Sequence, residues 1–112
     1  MPSQWTAVPV DGEQMWAYLS LPDGPGPYPG IVAAPTGLGV DDWIREVADK
    51  LATEGYATIV PDLYHRDNPN ITYFRDRLAR LRDDNIIRDV ESALGHLRTH
   101  PMVLGDSTSI LG

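Results

Sequence analysis

The sequence contains no cysteine, which excludes disulfide bonds and thiolate metal sites. Basic residues are also few, since 9 Lys and Arg stand against 16 Asp and Glu and give a formal net charge of −7. Nucleic acids and anionic membrane surfaces require a basic patch, so we expect neither as a partner. The longest purely apolar run, residues 31–34, falls far short of the roughly 20 residues that span a bilayer.

The chain has 112 residues, of which 42% are hydrophobic, and this suits one domain with a packed core. Its first residues, Met1-Pro2-Ser3-Gln4-Trp5, lack the basic segment and apolar stretch of a signal peptide. Together with the absence of cysteine, this predicts a cytoplasmic location.

Strand-like and helix-like segments alternate along the sequence. Two strands around the turn Asp11-Gly12 form a predicted hairpin, and the later strands include short apolar runs typical of a parallel sheet buried on both faces. The predicted strands cover residues 6–10, 14–21, 30–34, 56–60 and 107–111.

Three helices are predicted from capping residues and helical spacing. They run from Asp41 or Asp42 to about Glu54, over residues 71–81, and from Asp83 or Asp84 to about Thr99. Gly55 ends the first helix. The apolar positions expected to face inward on the last helix are Ile86, Ile87, Val90, Ala93, Leu94 and Leu97.

The order of elements is a pair of antiparallel strands followed by strand-helix-strand-helix-strand. Strands that alternate with helices indicate an α/β fold with right-handed crossovers. We therefore predict a single α/β domain with about five strands, an N-terminal hairpin and then parallel strands, and about three helices.

Several segments resemble the dienelactone hydrolase family of the α/β-hydrolase superfamily. The most specific is the strand and loop Gly55-Tyr56-Ala57-Thr58-Ile59-Val60-Pro61-Asp62-Leu63-Tyr64-His65-Arg66. Residues 27–32, 44–52, 89–100 and 109–112 resemble the family's other strands and helices in the same order. The resemblance covers nearly the whole chain from Met15 onward.

The resemblance implies a hydrolase or esterase that acts on a carboxylic ester or lactone by acyl transfer, without a cofactor or metal. In this fold the nucleophile, Ser or Cys, lies on a sharp turn after the strand that Gly112 ends, and the acid and histidine follow later. The 112 residues are thus expected to be an N-terminal portion that lacks the triad and is inactive as it stands. The resemblance also places residues 56–60 and 107–111 on either side of 30–34, with the hairpin beside 56–60.

The loop after the third strand is a candidate oxyanion hole formed by the backbone of Thr36, Gly37 and Leu38. In this superfamily one oxyanion N–H comes from this loop, and glycine lets the backbone approach the oxyanion closely. The alternative is an ordinary strand-to-helix turn. Thr36 stands where the family often has a glutamate, and this departure weakens the narrow dienelactone assignment.

The segment after the fourth strand carries candidate substrate-binding residues, namely Tyr64, Arg75 and Arg77. The family uses arginine to hold a substrate carboxylate, which a guanidinium binds with two hydrogen bonds. The alternative is a solvated helix face on which the arginines pair with neighbouring aspartates. His65 is expected at the rim of the pocket.

Other motifs carry no predicted chemistry. Gly37-Leu38-Gly39 begins a dinucleotide-binding pattern, but Asp42 replaces its last glycine. Ser107 is interpreted as a turn residue before a strand. His96 and His100 lie near a helix end, where positive charge is favourable, and need no further role.

A second reading is a small α/β binding or interaction module without catalysis. In the hydrolase reading, by contrast, further strands would pair with residues 107–111, and without them this strand is an unprotected edge, with apolar side chains beside unpaired backbone groups. Such an edge predicts that the 112-residue chain self-associates, or else needs a second polypeptide that supplies the remaining strands.

Overall fold

In the computed structural model of the protein, residues 3–34, 40–63 and 83–111 are described. They form five strands and two helices: β1 Ser3–Val10, β2 Glu13–Ser20, β3 Tyr28–Ala33, α1 Asp42–Thr53, β4 Ala57–Pro61, α2 Asp83–Arg98 and β5 Val103–Leu111. The predicted helix over residues 71–81 lies outside the described residues.

The strands form one mixed sheet in the order β1-β2-β4-β3-β5. β2 pairs with β1 and with β4 in antiparallel fashion, whereas β3 is parallel to both β4 and β5. Val32 in the centre of β3 lies opposite Ile59 on one side and Ile110 on the other. The predicted α/β class and the predicted order of strands are confirmed.

The two helices cover opposite faces of the sheet. Successive residues of a strand point to opposite faces. Ala33 and Val60 pack with Ile44 and Ala48 of α1, whereas Val32 and Ile59 pack with α2. The larger core, between the sheet and α2, comprises Val8, Val10, Met15, Ala17, Leu19, Val32, Ala57, Ile59, Ala93, Leu97 and Val103. Burial on both faces explains why β3 and β4 are continuous apolar runs.

Local signals fix both ends of α1. The Asp41 carboxylate accepts a hydrogen bond from the N–H of Ile44 at 3.0 Å, so Asp41 rather than Asp42 is the N-cap. Glu54 follows the last helical residue, and Gly55 adopts a φ of 97°, which a residue with a Cβ rarely adopts.

The last strand is longer than predicted. It begins at Val103 rather than at Ser107, and Ser107 therefore lies within the strand instead of before it. Tyr28 pairs with Val103 but Gly30 pairs with Thr108, so Pro29 of β3 alone lies opposite the four residues 104–107 of β5. This bulge contains Gly105 and Asp106, two residue types that are rare in strands. For this reason the sequence pattern did not predict a strand before Ser107.

Four of the predicted inward positions of α2 are confirmed, since Ala93 and Leu97 are in the core and Val90 and Leu94 pack against it. Ile87 is 56% exposed, so its assignment to the core is wrong. Asp89, two residues later, is fully buried and shares a helix face with Ala93 and Leu97. The buried face of α2 thus includes Asp89 and not Ile87, although the spacing of apolar residues predicted that Ile87 is buried.

Candidate active site

The carboxyl ends of β3, β4 and β5 lie at one edge of the sheet because the three strands are parallel. From β3 the chain proceeds to β4 on one side, and after α2 it returns to β5 on the other side of β3. Ligands of open α/β sheets bind outside the carboxyl ends of strands at the point where the strand order reverses. The carboxyl end of β3 is therefore the candidate active site.

Two anchors bracket residues 35–39, the segment that leaves this edge. At its beginning, the N–H of Ala34 donates to the carbonyl oxygen of Leu111 at 2.8 Å. At its end, Val40 packs against the core beneath α1, and Asp41 caps the helix. Ala34 consequently lies beside Leu111 of β5, and Val40 lies near the N-terminus of α1, where backbone N–H groups and the helix dipole favour negative charge.

The predicted site residues fall outside the described residues. Thr36, Gly37 and Leu38 lie between the two anchors, and Tyr64, Arg75 and Arg77 lie between β4 and α2. Their assignment to the oxyanion hole and to substrate binding remains a prediction.

The hairpin reaches the same edge, which the sequence did not indicate. The N–H of Asp62, just after β4, donates to the carbonyl oxygen of Trp16 at 2.9 Å. The side chain of Trp16 is 53% exposed, and Trp43 in the first turn of α1 is 59% exposed. Two exposed tryptophan side chains, one on β2 and one on α1, are therefore carried by elements that end or begin at the carboxyl edge of the sheet.

An ion pair joins the hairpin turn to α2. Arg88 Nη1 lies 3.1 Å from Asp11 Oδ2, and Arg88 Nη2 lies 3.5 Å from Asp84 Oδ2. The hydrogen bond that Arg88 donates to Asp11 and the charge of that carboxylate raise the pKa of Arg88 above its ordinary value. The pair is exposed to solvent, so it orients the turn and adds little stability.

A second polar group missed by the sequence interpretation is Asp49, on α1. Its carboxylate accepts hydrogen bonds from Ser20 Oγ at 2.8 Å, from the Tyr18 hydroxyl at 3.0 Å and from Ser3 Oγ at 3.1 Å. Ser20 is fully buried, and the Tyr18 ring contacts Trp5 edge to face. This network joins α1 to β1 and β2 at the amino edge of the sheet, away from the candidate active site.

His96 and His100 lie at and just after the end of α2, and their contacts are local to this end of the helix. Burial, and to a smaller extent the charge of His100, lower the pKa of His96. His100 Nδ1 accepts a hydrogen bond from the N–H of Met102, so Nε2 of the neutral ring carries the proton. Neither nitrogen of that ring then presents a free lone pair to a metal ion.

Within the ranges 3–34, 40–63 and 83–111, no cluster of three His, Asp or Glu side chains is arranged to hold a metal ion. Across the same ranges no helix is both long and apolar enough to cross a membrane.

Comparison with known proteins agrees with this geometry. The model of the dienelactone hydrolase family matches residues 15–112. The solved structure of a "Putative Dienelactone Hydrolase" from Klebsiella pneumoniae superimposes with a TM-score of 0.88 at 28% identity, over 97% of this chain and 48% of that one. The sheet order, the two helix layers and the family match define an α/β-hydrolase-type domain. The chain belongs to the dienelactone hydrolase family.

Two relatives illustrate the extent of the similarity. A "Probable 2-oxo-3-(5-oxofuran-2-ylidene)propanoate lactonase" of a Bradyrhizobium species is 29% identical over 112 residues, which cover 96% of this chain and 45% of the relative. A "Putative carboxymethylenebutenolidase" of Escherichia coli K12 is 32% identical over 94 residues, which cover 78% and 35% of the two chains. The chain thus spans less than half the length of these relatives.

Proposed function

We propose that these residues form the N-terminal half of a hydrolase that cleaves a carboxylic ester or lactone by acyl transfer. The family match and the hydrolase names of the relatives support a hydrolase. The observation that carries the proposal is the Ala34–Leu111 hydrogen bond. It places Ala34, the residue before the proposed oxyanion loop, beside the end of β5, and in this superfamily an oxyanion hole takes N–H groups from that loop and from the residue after the nucleophile.

In this proposal the backbone around Gly37, with Thr36 and Leu38, donates to the developing oxyanion. A nucleophile on the turn after Gly112 adds to the substrate carbonyl, whose oxygen becomes negative as its π bond breaks. Preorganised N–H groups stabilise that charge more than they stabilise the neutral carbonyl, and this difference lowers the barrier. The adjacent N-terminus of α1 favours the same negative charge.

Arg75 or Arg77, together with Tyr64, would hold a substrate carboxylate beside the reacting carbonyl. The name of the Bradyrhizobium relative describes a lactone that carries a carboxylate, the group that a guanidinium binds best. The 112 residues alone would bind substrate at most, because by resemblance the nucleophile, acid and histidine follow them. We also propose a cytoplasmic location, with which the absence of cysteine is compatible.

The proposal is tested with a chimera in which residues 1–112 replace the matching half of the Klebsiella hydrolase. We expect the chimera to hydrolyse p-nitrophenyl acetate. Gly37→Pro, which removes one N–H, should lower kcat by about 10²-fold or more, whereas Gly37→Ala retains the N–H and should lower kcat far less. A chimera that melts cooperatively but has no activity would contradict the proposal, as would equal rates for the two Gly37 variants.

A second proposal also rests on the reading of these residues as half of a hydrolase domain, and it is self-association of the 112-residue chain through β5. The strand lies at the sheet edge in the described part of the chain, and Ile110 and Leu111 are 57% and 50% exposed on opposite faces. Exposed apolar edges of this kind pair with other strands. Light scattering on the 112-residue chain at micromolar concentration should give a mass above 12.4 kDa, and Ile110→Lys should restore the monomer. A wild-type monomer would contradict this proposal.

A further inference from the structure

The turn between β1 and β2 consists of Asp11 and Gly12 alone, because Val10 pairs with Glu13. Both turn residues have a positive φ, 51° for Asp11 and 82° for Gly12, as a type I′ turn requires. In such a dipeptide the backbone nitrogen of the glycine can attack the aspartyl side chain, since glycine has no Cβ to block the approach. The turn therefore contains the two groups of an intramolecular reaction.

This turn is exposed on the surface. The Asp11 side chain is 46% exposed, and no described atom beyond the adjacent residues lies within 4 Å of the place that a Cβ on Gly12 would occupy. Exposed tips of loops are also the places where backbone motion concentrates. The Gly12 nitrogen consequently has room to approach Cγ of Asp11, and water can reach the carbonyl groups of the turn.

A charged contact from α2 acts on the group that would react. Arg88 Nη1 donates to Asp11 Oδ2 at 3.1 Å, although the two residues are 77 positions apart in the chain. The guanidinium is attracted by the negative charge of the carboxylate. A succinimide, the cyclic imide that forms when Asp11 is attacked, carries no charge at this position. The contact with Arg88 therefore stabilises unreacted Asp11 and not the ring.

We propose that Asp11 isomerises spontaneously to isoaspartate and that Arg88 slows this reaction. After the Asp11 carboxylate takes up a proton from solvent, the Gly12 nitrogen forms a bond to Cγ, and the carboxyl hydroxyl leaves as water with the amide hydrogen. Water then adds to one of the two carbonyl groups of the succinimide, and the ring opens. Addition at the side-chain carbonyl restores Asp11, whereas addition at the main-chain carbonyl gives isoaspartate. In both products the carboxyl group releases the proton, so one water leaves, one enters and the mass is unchanged.

Isomerisation changes the hairpin at its turn. In isoaspartate the backbone runs through Cβ and Cγ, so the connection between Val10 and Gly12 gains one backbone atom. The carboxylate is then attached to Cα, one bond closer to the main chain than in Asp11. The two-residue type I′ geometry and the contact with Arg88 both depend on the original connection, so the reacted chain loses them together.

The test is incubation of the 112-residue chain at pH 7.4 and 37 °C in water enriched in a heavy oxygen isotope. Each succinimide that opens takes up one oxygen atom from the solvent, so the label also counts the events that restore aspartate. Mass spectrometry with electron-transfer fragmentation locates the label and the isoaspartate. We expect both at residue 11. In Arg88→Gln the label should accumulate there about two- to fivefold faster, which corresponds to the loss of one exposed ion pair.

Two substitutions on α2 separate the charge of Arg88 from other effects. Arg88→Lys keeps the positive charge and should leave the rate near that of the wild type. Arg98→Gln removes an arginine of the same helix that donates to Thr108 of β5 instead of to the turn, and it should leave the rate unchanged.

A second Asp-Gly pair, at residues 23 and 24, is an internal reference. Its rate should be the same in all these variants, because a general loosening of the fold would raise the rates at both pairs and the loss of the ion pair raises only one. In Asp11→Glu no label should appear at residue 11, since ring closure would need a six-membered ring. Absence of label at Asp11 in both the wild type and Arg88→Gln would overturn the inference. Equal rates in these two chains, or equal rates in Arg88→Lys and Arg88→Gln, would contradict the role of Arg88.

Discussion

Asp49 on α1 accepts a hydrogen bond from the fully buried hydroxyl of Ser20 on β2 at 2.8 Å. The two residues are 29 positions apart in the chain. The same carboxylate also accepts from Tyr18 and Ser3, so one side chain satisfies hydroxyl groups of two strands. The contact fixes α1 on the sheet at the edge opposite to the candidate active site.

Asp49→Ala should destabilise the chain by about 2 kcal/mol, because it leaves the buried Ser20 hydroxyl without this acceptor. Urea unfolding followed by circular dichroism measures the change. The control is Glu46→Gln, an exposed position on the same helix, which should change stability by less than about 0.5 kcal/mol. In a double-mutant cycle, Ser20→Ala should recover part of the loss. Additive effects of the two substitutions would show that the pair is not coupled.

Gly30→Ala should destabilise the chain by about 1–3 kcal/mol through overpacking. A Cβ at this position would lie 3.0 Å from Val103 Cγ1, 3.2 Å from Leu97 Cδ2 and 3.3 Å from Thr108 Cγ2. Gly95→Ala is the matched control, since no atom lies within 4 Å of its added Cβ and the residue is in α2. It should stabilise the helix by about 0.5–1 kcal/mol. Thermal melts of the two variants test the prediction. The melting temperature of Gly30→Ala should lie below that of the wild type, and the melting temperature of Gly95→Ala should lie above it.

Stability should decrease as the pH falls below about 6.5, in part because of His96. Burial lowers the pKa of His96 in the folded chain below its ordinary value of 6.5, and the charge of His100 adds to this effect. Between the lowered pKa and 6.5 the unfolded chain binds more protons, so acidification favours unfolding. The stabilisation is complete above pH 6.5 and is lost as the pH falls toward the lowered pKa.

His96→Gln should reduce that loss of stability. The measurement is the difference in the free energy of unfolding between pH 7.5 and 5.5 for the wild type and the variant, which removes contributions common to both. Equal pH dependence in the two chains would assign the effect to other groups.

The 112-residue chain should not hydrolyse p-nitrophenyl acetate faster than a chain of scrambled sequence. In the proposed function the nucleophile follows these residues, and oxyanion donors alone have no attacking group to assist. A saturable rate that disappears when one residue of the chain is replaced would contradict this expectation.

The sequence predicted the elements whose patterns are local. The caps of α1 and the apolar runs of β3 and β4 each follow from neighbouring residues, and the strand order followed from the resemblance. The beginning of β5 was missed because pairing with β3 overrides the low strand propensity of Gly105. The buried positions of Asp49 and Asp89 depend on contacts distant in sequence, although an aspartate in line with Ala93 and Leu97 was a visible signal. The predicted oxyanion and substrate residues stay predictions, since they lie outside the described residues.

The bulge in β5 separates the pairing at the beginning of the strand from the pairing at its end, which in a regular strand would share one register. Residues 108–111 keep a fixed register with β3, and Val103 is fixed separately opposite Tyr28. The residues between them are not in register with β3. We therefore expect an insertion or deletion at positions 104–106 to change the size of the bulge without moving Leu111. Length variation between α2 and the candidate active site is consequently absorbed before it reaches the hydrogen bond with Ala34.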